Sequence, residues 1–64
     1  MKIRSIETKT YEDIEIEDTD DYWYFYRRYP SGTWEMLMGN SWEPCYLDEE
    51  RLEQLYHDYK QQSA

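Results

Sequence analysis

The residues able to do chemistry are few: one cysteine, Cys45, one histidine, His57, and fifteen carboxylates set against seven Lys and Arg. No second sequence feature marks Cys45 as a nucleophile. Flanked by Pro44 and Tyr46, it reads as a small buried thiol, the usual state of a free cysteine. His57 follows Glu53 by four, which makes a helix-surface pair rather than a catalytic dyad. Its place on a helical wheel, about 140° from Leu52, predicts solvent exposure. One Cys and one His fall short of the four ligands of a structural zinc site. Asp18, Asp20 and Asp21 have spacing superficially like a calcium loop, but the EF-hand needs a central glycine and a bidentate glutamate, and this loop has no glycine. Gly32 and Gly39, the only glycines, lie in turn clusters, so no glycine-rich phosphate loop exists. The expectation is a protein that is not an enzyme and has no cofactor and no metal site.

What remains is surface chemistry. Asp13, Glu15 and Glu17 alternate with Ile14 and Ile16, the pattern of a half-buried strand with isoleucines inward and acids outward. Such carboxylates stand about 6.6–6.8 Å apart. Asp18-Thr19-Asp20-Asp21 then reads as a polar turn. Tyr22-Trp23-Tyr24-Phe25-Tyr26-Arg27-Arg28-Tyr29 follows, aromatic at six of eight positions, and aromatic residues fit a pleated surface. With period two, Trp23, Phe25, Arg27 and Tyr29 face one way, and Tyr22, Tyr24, Tyr26 and Arg28 the other. The expected partner-binding set is Asp13, Glu15, Glu17, Asp18, Asp20 and Asp21 for charge, with Tyr22, Tyr24 and Tyr26 as anchors. Glu49, Glu50, Glu53 and Asp58 add acid from the C-terminal segment.

These residues need a sheet to hold them. Residues 1–11 read as an extended segment with a bend or bulge, because Ile3 and Ile6 are three apart and fit neither period. Two rules conflict at Pro30-Ser31-Gly32-Thr33. A three-residue loop with Gly32 left-handed pairs Tyr29 with Thr33. A four-residue loop pairs Tyr29 with Trp34 and gathers Trp23, Phe25, Trp34, Met36 and Met38 on one side. A one-residue slip turns every side chain over, so burial favours the four-residue loop. That register sets Arg28 opposite Glu35. The same logic pairs Glu17 with Tyr22, Glu15 with Tyr24 and Asp13 with Tyr26. Gly39-Asn40-Ser41 is a second turn, and Trp42–Tyr46 a short edge strand, since Pro44 lacks a ladder donor. A helix follows, with Asp48 as N-cap, Leu47 and Leu52 as a hydrophobic staple, and Leu52, Leu55, Tyr56 and Tyr59 as its apolar stripe. Residues 61–64 fray. The fold class is α+β: one small domain over 1–64, an antiparallel meander of three to four strands with one C-terminal helix on one face.

Sixty-four residues bury a marginal core, and one cysteine allows no intrachain disulfide. A homodimer is therefore a competing source of stability. The net charge of −8 opposes phosphate backbones and anionic membranes and favours partners with basic surfaces. No apolar run reaches the length of a signal peptide or membrane helix, and a lone thiol suits a reducing compartment; the expected location is cytoplasmic. In composition, though by no motif, the chain resembles the small acidic inhibitors made by phages and mobile elements, DNA mimics among them. The expected function is an acidic inhibitor or modulator on a basic surface of a partner protein, such as a nucleic-acid-handling enzyme. The alternatives are a homodimeric structural or accessory subunit whose acids serve solubility, and a single-stranded nucleic-acid binder using the tyrosine face, which the charge disfavours.

Overall fold

Period-two burial along residues 12–17 and a single apolar stripe along residues 49–62 set the architecture: a sheet with one face against one helix. In a computed structural model, which describes residues 1–18 and 22–62, the strands are β1 (Lys2–Thr8), β2 (Glu12–Glu17), β3 (Trp23–Arg28), β4 (Trp34–Met38) and β5 (Ser41–Pro44). They form one antiparallel sheet in chain order, each strand bonded to its sequence neighbours. A 3₁₀ turn, Tyr46–Asp48, leads into α1 (Glu49–Gln62). The meander has five strands rather than three or four. Residues 2–8 form a full edge strand, and Ser41–Pro44 form the other edge, where Pro44 needs no outward donor.

The core is Ile3, Ile14, Ile16, Tyr26, Trp34 and Leu52, with Ile6, Met36, Cys45, Leu55, Tyr56 and Tyr59 packed around it. Full burial of a side chain such as Ile14, Ile16 or Leu52 stabilises by about 1.5–3 kcal/mol each. The odd spacing of Ile3 and Ile6 has a plain cause. Ile3 faces Ile16 and Ser5 faces Glu15, so Arg4 is an extra residue, a bulge that restores the phase and turns both isoleucines inward.

β3 is turned over relative to the sequence-based expectation, between neighbours that keep theirs. Ile14 pairs with Tyr26 and Ile16 with Tyr24, while Glu15 pairs with Phe25 and Glu17 with Trp23. On the other side Arg28 pairs with Trp34, Arg27 with Glu35 and Tyr26 with Met36. The turn chemistry prevails. Gly32 has φ +89° and donates its N–H to the Tyr29 carbonyl at 2.8 Å, and Tyr29 N–H donates to the Thr33 carbonyl at 2.9 Å. This is the three-residue loop, with Pro30 at its preferred second turn position. At the other end of β3 the Asp18 N–H meets the Tyr22 carbonyl at 2.8 Å, one residue beyond the four-residue loop expected there. Trp34 is core as expected, so Tyr24, Tyr26 and Arg28 share its face and Trp23, Phe25 and Arg27 take the open one.

Tyrosine tolerates the inner face because its ring is apolar, and Arg28 is drawn there by carboxylates. Its Nε donates to Glu53 Oε1 at 2.6 Å and its Nη2 to Glu53 Oε2 at 3.3 Å, with Glu12 at 3.5 Å. The expected Arg28–Glu35 pair is replaced by these contacts, and Glu35 instead accepts from Tyr29 Oη at 2.6 Å. Trp34 Nε1 donates to the same Glu53 at 2.8 Å, Tyr56 Oη donates to Glu12 at 2.7 Å, and Lys60 lies 3.6 Å from Glu12. This polar clamp ties α1 to β2, β3 and β4. The hydrophobic staple does not form, for Leu47 is fully exposed. Asp48 belongs to the 3₁₀ turn, donating its N–H to the Cys45 carbonyl. Gln61 and Gln62 continue the helix instead of fraying, and Ser63 and Ala64 lie outside the described residues.

Candidate functional site

Among the described residues, no other element covers the sheet face opposite α1. Down its middle run Trp23 and Phe25, each 45% exposed, with Leu37 and Trp42 half-buried beside them. Asp13, Glu15 and Glu17 of β2 line one flank, cross-strand from Arg27, Phe25 and Trp23. The expected row of acids is thus on the open face, but its neighbours are the rings of Trp23 and Phe25. The tyrosines expected there are divided. Tyr22 is 66% exposed just before β3, Tyr26 is buried under α1, and Tyr24 lies on the α1 side of the sheet. Asp18 sits half-buried at the end of β2, and Asp20 and Asp21 lie outside the described residues.

The acidic row is compensated by cations from within the chain. Asp13 accepts from Arg27 Nε at 2.9 Å and from Lys9 Nζ at 3.3 Å, Glu17 lies 3.7 Å from Lys2, and Glu7 lies 3.9 Å from Lys9. The hydrogen bond from Arg27 to Asp13 raises the guanidinium pKa further, so this cation is permanent. Rings and cations also alternate. Arg4, projected by the β1 bulge, stands 3.5 Å from the Trp23 ring centre, and Arg27 stands 4.0 Å from Trp42 and 4.5 Å from Tyr11, all within cation–π range. Arg4, Trp23, Phe25, Arg27, Leu37 and Trp42 were absent from the expected binding set. Pro30-Ser31-Gly32 was the signal that would have found the β3 members, since its three-residue loop places them on this face.

Between the acidic flank and the rings lies a concavity of about 310 Å³, lined by Ser5, Glu7, Asp13 and Glu15 on one side and by Phe25, Leu37 and Trp42 on the other. Among the described residues no group of three or more His, Cys, Asp and Glu is arranged to hold a metal ion. Cys45 packs half-buried against the core, and burial, followed by the charges of Asp48, Glu49 and Glu35, pushes its thiol up to about 11. It stays protonated at neutral pH, where the thiolate is the reactive form. His57 is exposed as expected and lies 3.2 Å from Glu53. Among the described residues no helix is long and apolar enough to cross a membrane. No protein-family model, curated protein or solved structure matches this chain.

Proposed function

We propose that this chain is a non-catalytic protein-binding module whose open sheet face docks on a partner with a basic surface. The observation that carries the reading is the composition of that face: two half-exposed large rings, Trp23 and Phe25, ranked beside the carboxylates of β2. Aromatic residues and arginine are enriched at the centres of protein interfaces, and both are present here. The acids give complementarity more than steering, because Lys2, Lys9 and Arg27 already offset much of the row. Nucleic-acid mimicry by an uninterrupted line of charge is accordingly a weaker version of the reading. Stacking of single strands on the tyrosines is the less favoured reading, since Tyr26 is buried in the core and the net charge of −8 opposes a phosphate backbone.

The test is retention of proteins from a lysate on immobilised chain, comparing wild type with Phe25→Ser, Glu15→Lys and, as a control on the helix, Glu50→Lys. Proteins held by wild type and by Glu50→Lys but released by both sheet-face variants are the expected result. Equal retention by all four proteins contradicts it.

A further inference from the structure

We infer that the concavity beside Phe25 receives an arginine side chain of the partner protein, its guanidinium stacked on the Phe25 ring and paired with Glu15. The inference rests on the protein-binding reading and names what the partner must present. The chain itself shows the geometry that such a contact takes. Arg28 lies 4.2 Å from the Tyr56 ring centre while bound to Glu53, and Arg27 lies 4.0 Å from Trp42 while bound to Asp13. In both, a guanidinium is held between an aromatic face and a carboxylate, an arrangement that suits the planar, weakly hydrated Arg better than Lys. Glu15 and Phe25 form a third such couple, directly opposite one another on β2 and β3. Among the described residues, no cation of the chain pairs with Glu15 or lies over Phe25.

The surroundings favour a cationic group. Glu7 and Glu15 form the acidic wall, and Phe25, Leu37 and Trp42 form the apolar wall, which takes the methylene stem. The like charges at the rim are already engaged: Arg27 is bound to Asp13 at 2.9 Å and pairs across the strands with Glu35, and Lys9 lies 3.3 Å from Asp13 and 3.9 Å from Glu7. Among the described residues, this leaves Glu15 as the uncompensated carboxylate of the wall. At about 310 Å³ the concavity is at the lower bound of sites that enclose small molecules, roughly 300–1,000 Å³, and so suits one side chain.

The probe is a capped Gly-Arg-Gly peptide, titrated into the full chain while the backbone amide NMR spectrum is followed, with Gly-citrulline-Gly as its neutral near-isostere. The expected result is a saturable shift centred on Glu15, Phe25, Leu37 and Trp42 that the citrulline peptide does not produce. Glu15→Gln and Phe25→Leu should each weaken it about threefold or more, the scale of one exposed cation–π or ion-pair contact. Glu50→Gln, which removes the same charge from α1, should leave it unchanged. Equal effects of Glu15→Gln and Glu50→Gln would reduce the binding to net charge and overturn the inference, as would equal shifts with citrulline. Shifts at the same residues on concentrating the protein alone would make the occupant a second copy and overturn it too. If the peptide fails while Phe25→Ser still releases retained proteins, only the arginine is wrong; if Phe25→Ser releases nothing, the protein-binding reading falls as well.

Discussion

Glu53 is the residue on which the two layers meet. Burial alone would push its carboxyl up, but the hydrogen bonds from Arg28 and Trp34, with the charges of Arg28 and His57, outweigh it and hold the pKa below the usual 4.5. A depressed folded pKa means that this contribution to stability is complete above about 4.5 and is lost as pH falls through the folded value. Glu53→Gln should therefore cost about 1–3 kcal/mol in urea unfolding at pH 7, because half-buried Arg28 loses its closest carboxylate and keeps only the longer contact to Glu12 at 3.5 Å. The gap between variant and wild type should close in acid. A constant gap from pH 7 to pH 3 would show that the carboxylate is not what holds Arg28. Trp34→Ala, at a position with no solvent exposure, should cost about 3–5 kcal/mol and unfold so small a domain at ambient temperature.

At the scale of the element, β3 owes its orientation to the loop that follows it. Gly32 holds φ +89° with open space where a Cβ would stand, so Gly32→Ala tests backbone strain without a clash. A loss of about 1–2 kcal/mol is expected by thermal or urea unfolding, and no loss would mean that the left-handed turn does not set the register. The same loop marks the limit of what could be read in advance. Strand β2, with Ile14 and Ile16 inward, the Pro44 edge and the stripe of α1 were all legible, because each has one strong period or one strong breaker. The bulge was legible in the spacing of Ile3 and Ile6. The facing of β3 was not, because its two faces differ little in ring content: Trp23 and Phe25 on one, Tyr24 and Tyr26 on the other. Hydrophobicity weighed for the wrong side against the one local signal, Pro30-Ser31-Gly32, and the contacts that reinforce the loop, Arg28 and Trp34 with Glu53, join positions 25 and 19 residues apart. No local pattern reports them. The acids of the candidate site were therefore legible and its aromatic centre was not.

For the whole molecule, one turned strand changes which surface is left for function. A sheet covered on one side by a single helix leaves Trp23, Phe25, Leu37 and Trp42 with partial exposure, and the internal cations of that face keep it close to balanced in charge. Among the described residues, Glu49 and Glu50 on the first turn of α1 add acid away from this face. Retention of partners should then depend less on salt than a line of unpaired carboxylates would require. Raising salt from about 50 to 200 mM should weaken it by less than about tenfold, far from the losses seen when many phosphates are matched. The central claim is that β3 turns Phe25 to the open face for binding and Tyr26 to the core for stability. Adjacent variants, Phe25→Ser and Tyr26→Ser, compared by urea unfolding and by retention of partner proteins, test it most directly. The account predicts that Phe25→Ser shifts stability by no more than about 1 kcal/mol yet releases the partners, whereas Tyr26→Ser costs about 2–4 kcal/mol. The reverse order of stabilities, or a Phe25→Ser variant that keeps its partners, would contradict it.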